Sequence, residues 1–256
     1  MRPRAGIAAV VILGLAMNHA ANAAEVKVLS AGVMKEIIVA LIPEFEKQTG
    51  HKVMLDVRPA GTLARRIEAG ETFDLAVITR PVIESLIEKG KVVSGTRVDL
   101  AGVGIGVAMR EGAPRPDISS ADAFKRTLLA AKSVAHTDPE VGATSGVYLA
   151  KLFEKLGIAD QVKQKIILVR GGSSALLVAS GEVELAVQQI SEILNVPGTV
   201  YIGPLPAEIQ NITVYSAGIG TKARESDAAK TLINLLTSPE AMRFLKSHGL
   251  EPAVVR

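Results

Sequence analysis

Val26-Lys27-Val28-Leu29-Ser30 runs through Ala31-Gly32 into a segment with apolar residues at 34, 37, 38, 41, 42 and 45. Met54-Leu55-Asp56-Val57 does the same, through Pro59-Ala60-Gly61 into Thr62-Leu63-Ala64-Arg65-Arg66-Ile67-Glu68. Each reads as a short strand, a tight turn and a helix, the unit from which parallel sheets are built. In a parallel sheet both turns lie at the same strand ends, so two helix N-termini face one cleft with unpaired N–H groups and the positive end of a dipole. Such a cleft is a site for an anion.

Working outward, strand and helix keep alternating, which predicts parallel sheets covered by helices on both faces. Asp74 to Thr79 reads as a buried strand, and Pro81 opens a helix with apolar residues at 83, 86 and 87 that Gly90 closes. Val98 to Met109 reads as one long apolar strand, but Gly102, Gly104 and Gly106 are more glycine than a strand interior carries without a reason. A crossing between two domains supplies one. A second series follows: strands at Ser133 to His136, Ile166 to Val169 and Leu185 to Gln188, with helices at Ser145 to Leu156 and Ser174 to Val178. Past Pro204 to Pro206 a strand spans Ile212 to Ile219, and a helix runs from Ser226. Another helix starts at Ser238-Pro239-Glu240, with serine as N-cap and proline at the first helical position. Crossings near 103–107 and 206–213 divide the chain into a discontinuous lobe I (24–105 and 209–256) and an inserted lobe II (106–208). The expected fold class is α/β, two doubly wound lobes joined by two hinge strands.

The first 23 residues carry Arg2 and Arg4, an apolar run from Ala5 to Met17, and Ala21-Asn22-Ala23. They read as a secretory signal peptide cleaved after Ala23, which places the protein in the periplasm. The chain has no cysteine, so neither a disulfide nor a cysteine-linked lipid is expected. Loss of the leader lowers the formal charge from +3 to +1, and with no basic run or aromatic platform a nucleic-acid partner is not expected. Aromatic residues make up 3% of the chain, too few for the stacking rings that sugar sites use.

The chain resembles the periplasmic solute-binding proteins of ABC importers, in the molybdate-binding branch of the type II class. The residues that carry the resemblance are Val26 to Gly32, Gly61 to Gly70 with Phe73-Asp74-Leu75-Ala76-Val77, and Asp138-Pro139-Glu140 with Ser145-Gly146. Leu152 to Gly157, Gly181-Glu182-Val183-Glu184-Leu185, Ser238-Pro239-Glu240-Ala241 and His248-Gly249 complete them. The resemblance implies two lobes that close on one ligand and dock on a membrane permease, the binder itself working as a monomer. In the molybdate pattern two serines, two backbone amides and a tyrosine hold the oxyanion. Here the serine positions fall on Val33 and Ala60 and the tyrosine position on Gln189, while Ser145 and Gly171 correspond to the backbone donors.

The candidate ligand set follows the strand ends and helix entrances. It comprises Ser30, Ala31 and Gly32 in the first turn; Arg58, Ala60, Gly61 and Thr62 in the second; Thr79 and Arg80 after the third strand; Thr144 and Ser145, with either hydroxyl residue as an N-cap; Gly171 and Ser173; and Gln188 and Gln189. Arginines at strand ends suit bidentate binding of a planar carboxylate. The expected ligand is therefore a small anion, an organic carboxylate in preference to molybdate or tungstate.

No catalytic set is expected. The sequence lacks a Gly-x-Ser-x-Gly elbow, a His-Glu-x-x-His pair and a phosphate-loop lysine. His136 is read as structural and Asp74 as an organiser of its strand, with no cofactor and no protein-ligated metal. The leading expectation is a transport binder, ahead of a sensor domain and an exported enzyme.

Overall fold

The computed structural model describes residues 23–253; the signal peptide read in the first 23 residues falls, but for Ala23, outside them. In chain order the elements are β1 (Glu25–Ser30), α1 (Lys35–Thr49), β2 (Lys52–Val57), α2 (Ala60–Glu68), β3 (Leu75–Thr79), α3 (Arg80–Glu88), β4 (Val98–Val103) and β5 (Ile105–Arg110). They continue with α4 (Ala121–Ala130), β6 (Val134–Thr137), α5 (Thr144–Lys155), α6 (Ala159–Lys163), β7 (Ile166–Val169), α7 (Ala175–Ser180), β8 (Leu185–Gln189) and α8 (Ile190–Ile193). The last are β9 (Thr199–Pro204), β10 (Thr213–Ile219), α9 (Ser226–Leu236), α10 (Pro239–Ser247) and β11 (Glu251–Pro252).

Two sheets form, a six-stranded one in the order β11-β4-β10-β3-β1-β2 and a five-stranded one in the order β7-β6-β8-β5-β9. The α/β class holds, but the sheets are mixed rather than wholly parallel. β1 pairs in parallel with β2 and β3, whereas β10 runs antiparallel to β3 and β4; in the other sheet β5 runs antiparallel to β8 and β9. β5 and β10, on which the chain enters a sheet after each crossing, run against the parallel strands, and the short β11 pairs antiparallel with β4.

The long strand expected over Val98 to Met109 is two strands. The chain leaves the first sheet at Val103 and joins the second at Ile105, with Gly104 between, and it returns between Pro204 and Thr213. Gln210 straps the two crossings together: its Oε1 accepts from Ile105 N at 2.8 Å and its Nε2 donates to Ile105 O at 2.9 Å. Its side chain also lies 3.2 Å from where a Cβ on Gly104 would stand, so a larger residue there would press on the Gln210 amide that holds the crossings together.

Separate apolar cores serve the sheets. Phe45, Leu63, Leu75, Ile78 and Ile83 are among those packed on the first, and Phe124, Leu149, Phe153 and Val187 on the second. Fully burying side chains of this size contributes about 1.5–3 kcal/mol each. Asp74 acts as the organiser the sequence predicts: Oδ2 accepts from Lys27 N at 2.7 Å, and Oδ1 from Arg224 N at 2.7 Å and Glu225 N at 3.0 Å. The Ser238 cap is also as read, its side chain accepting from Ala241 N at 3.1 Å. α5 differs by one residue: Ala143 is its N-cap and Thr144 its first residue, so neither Thr144 nor Ser145 caps it.

Candidate functional site

Between the two sheets lies a cavity of about 110 Å³, several times the roughly 10–15 Å³ that one water needs on the same measure. From the first-sheet side it is lined by Ala31, Gly32 and Val33 ahead of α1, by Val57, Arg58, Pro59 and Ala60 at the β2–α2 turn, and by Tyr215 of β10. From the other side come Thr137, Ala143, Thr144 and Ser145 around the start of α5, Gly171 and Gly172, Gln188 and Gln189 at the end of β8, and Glu192 of α8. A larger surface cleft of about 540 Å³ shares Gly32, Val33, Val57, Gly172 and Glu192 with it.

The start of α5 approaches the end of β6 because residue 146 is glycine: a Cβ there would stand 2.1 Å from Thr137 O. That approach brings Thr137 Oγ1 within 3.2 Å of Ser145 Oγ. The lobes touch at a second glycine contact. Gly61 N donates to Gly142 O at 3.1 Å, Thr62 Oγ1 donates to Val141 O at 2.9 Å, and a Cβ on Gly61 would stand 2.8 Å from Gly142 Cα.

Polar groups inside the cavity are few and fixed. Tyr215 O–H donates to Gln189 Oε1 at 2.7 Å, which leaves the Gln189 amide nitrogen as the free end. That Nε2 is buried and has no hydrogen-bond partner, on a residue only 3% exposed. An unpartnered buried donor costs about 1–3 kcal/mol, which an acceptor on a ligand would offset. Gln188 Oε1 accepts from the N–H and the hydroxyl of Ser174, both at 2.7 Å, and its Nε2 donates to Glu192 Oε2 at 2.9 Å.

Glu192 as a residue is partly buried, but its carboxyl group is enclosed, and that burial pushes its pKa up to about 7 against the opposing hydrogen bond from Gln188. Burial also raises the Tyr215 phenol, and the charge of Glu192 adds to the rise. His136 is not part of the cavity. Its Nδ1 sits 2.8 Å from Thr137 O, its ring meets Phe153 edge-on, and burial lowers its pKa. The described residues contain no group of three or more His, Cys, Asp or Glu placed to hold a metal.

Of the expected ligand residues, Ala31, Gly32, Arg58, Ala60, Thr144, Ser145, Gly171, Gln188 and Gln189 line the cavity. Six do not. Ser30 is wholly buried and its hydroxyl donates to Ala31 O at 3.0 Å. Thr79 is buried as the N-cap of α3. Gly61 and Thr62 are spent on the contact between lobes. Ser173 borders the larger cleft and its Oγ accepts from Ala175 N at 3.2 Å. Arg80 turns away to Asp99 at 3.2 Å and Glu84 at 3.6 Å.

Sequence reasoning missed Glu192 and Tyr215. Glu192 sits in a single helical turn, too short to show a period, and Tyr215 sits in the strand that returns from lobe II. A tyrosine does reach the cavity, but from β10 rather than from the position that Gln189 occupies.

A family model described as bacterial extracellular solute-binding protein matches residues 26–251. A Pseudomonas protein named aconitate isomerase is 32% identical over 256 residues, covering 98% of this chain and 96% of that one. The molybdate-binding protein ModA of Azotobacter vinelandii is 30% identical over 245 residues, covering 90% of this chain and 91% of that one. Among solved structures, the periplasmic molybdate-binding protein of Azotobacter vinelandii superposes with a TM-score of 0.71 at 20% identity, covering 90% of this chain and all (100%) of that one.

Proposed function

The chain belongs to the bacterial extracellular solute-binding proteins, and from that premise we propose that it captures a small polycarboxylate anion in the cavity between its lobes. It does so in the periplasm as a monomer, closes by bending at the crossings around Gly104 and Gln210, and presents the ligand to an ABC permease. Arg58 grips one carboxylate at the mouth. The free amide of Gln189 and the N–H groups at the start of α5 receive the others.

The observation that carries this reading is the carboxyl of Glu192 inside an otherwise anion-attracting cavity. A tetrahedral oxyanion presents oxygen in every direction, so one oxygen has to face Glu192; whenever that carboxyl is ionised, two unit charges about 4 Å apart at an effective dielectric constant of 20 repel by about 4 kcal/mol. An organic anion has carbon faces as well as oxygens. It turns a carbon face to Glu192 and its carboxylates to the donors. Val33 and Ala60, which supply no hydroxyl, fit a carbon frame for the same reason. The relative named for aconitate, a tricarboxylate, supports the same ligand class.

Thermal unfolding against a panel of ligands tests the proposal. At a hundredfold excess over the dissociation constant, a specific ligand stabilises by about 2.7 kcal/mol, which raises Tm by roughly 5–10 °C in a chain of this size. Di- and tricarboxylates are expected to produce that rise, and molybdate, tungstate and sulfate are not. Stabilisation by an oxyanion alone would sink the polycarboxylate reading.

A further inference from the structure

A carboxyl inside an anion cavity hinders simple capture, because it repels the oxygens that the other groups attract. Among the described residues that line the cavity, Glu192 is the sole acid. It is also held in place. Gln188 Nε2 fixes its Oε2 at 2.9 Å, and Gln188 is itself fixed by Ser174 through two contacts of 2.7 Å. Glu192 Oε1 accepts no hydrogen bond from a described residue, and it lies 3.2 Å from where a Cβ on Gly32 would stand, beside the turn ahead of α1. Burial raises its pKa to about 7, so near neutral pH the group is present both as a base and as an acid.

We propose that Glu192 shuttles a proton between two carbons of an unsaturated polycarboxylate held in the cavity, moving its double bond by one position. The inference rests on the polycarboxylate reading above and goes beyond capture to catalysis, which the sequence did not lead us to expect. The reactive C–H belongs to a methylene that lies between a carboxylate and a carbon–carbon double bond. Glu192 Oε1 takes that proton, and the electron pair of the broken C–H bond spreads over the three-carbon unit and its attached carboxylates. The same carboxyl then gives the proton to the far carbon of the unit. The old double bond becomes single and a new one forms, in the cis or trans geometry that the bound rotamer sets. No oxidant, reductant or water enters, and substrate and product have the same atoms.

The cavity supplies what such a step needs. Negative charge grows on carboxylate oxygens, where Arg58, the free Nε2 of Gln189 and the N–H groups at the start of α5 stand ready without reorganising. Tyr215 keeps the Gln189 amide turned the right way by donating to its oxygen.

The test is proton NMR of cis-aconitate and of trans-aconitate in D2O with the wild type, Glu192→Gln and Glu192→Asp. Calorimetry on the same samples measures binding, with saturated tricarballylate as a ligand that has no double bond to move. The wild type is expected to interconvert the isomers and exchange their carbon-bound protons for deuterium. Glu192→Gln should bind within about fivefold of wild type yet lose interconversion of the isomers by roughly 100-fold or more, the usual scale for a positioned acid–base group. Glu192→Asp, its carboxyl drawn back by one methylene, should fall between the two, and circular dichroism shows whether each variant is folded. Binding by wild type without interconversion of the isomers would overturn the proton shuttle and leave the capture reading standing. Interconversion at the wild-type rate in folded Glu192→Gln would overturn it as well. Absence of binding by every polycarboxylate would overturn both.

Discussion

Val57-Arg58-Pro59 and Thr79-Arg80-Pro81 are the same motif twice: a strand end, an arginine, a proline and a helix. Arg58 lines the cavity and Arg80 does not. The difference is two residues in where the helix begins. α2 takes Pro59 as its N-cap, so Arg58 stands outside the helix in extended chain, its Nε 3.3 Å from Asp56 Oδ1. α3 takes Thr79 as its N-cap, so Arg80 is the first helical residue and reaches along the helix to Glu84, four positions on, and across to Asp99. An arginine two positions before a helix keeps the direction of the strand, and one at its first position takes the direction of the helix.

The contrast extends three residues further. Gly61 follows Arg58 at that distance and Ile83 follows Arg80. Gly61 touches the other lobe, whereas Ile83 is wholly buried in the core of its own. Replacing Ile83 with alanine should therefore cost 2–5 kcal/mol of stability in urea unfolding and change ligand affinity only through the fraction folded. Replacing Gly61 with valine should do the reverse. Its branched side chain meets Gly142 backbone and holds the lobes apart, weakening binding by about 1–3 kcal/mol, the usual scale for overpacking. Unfolding of that variant without ligand should match the wild type. A destabilised Gly61→Val chain with normal affinity would break the comparison. Arg80→Ala should show the smallest effect, a stability loss of about 0–1 kcal/mol, because its ion pairs are exposed; calorimetric unfolding checks it.

The fold was legible where local chemistry is strong. Strand, turn and helix could be read around Val26 to Gly70, the Ser238 cap was plain, and the excess glycine of Val98 to Met109 marked a crossing. The antiparallel strands were not legible, since β10 and β5 have the same apolar character as their parallel neighbours and only the path of the chain sets their direction. The same limit governs the site. Gln188 and Gln189 stood out as amides ending an apolar strand. Arg80 looked equivalent to Arg58 because the position of an N-cap shifts by two residues without changing the pattern of residue types. Glu192 and Tyr215 reach the cavity from a one-turn helix and from a strand far along the chain, and no spacing in the sequence joins them to the other residues.

Calorimetry of one tricarboxylate with wild type, Arg58→Ala and Arg80→Ala, in the same buffer and at the same ionic strength, tests the central claim most directly. The account predicts that Arg58→Ala loses roughly 2–5 kcal/mol of affinity, as when one partner of a desolvated charge pair is removed, and that Arg80→Ala binds like wild type. Equal losses from both arginines, or tight molybdate binding that neither substitution weakens, would contradict it.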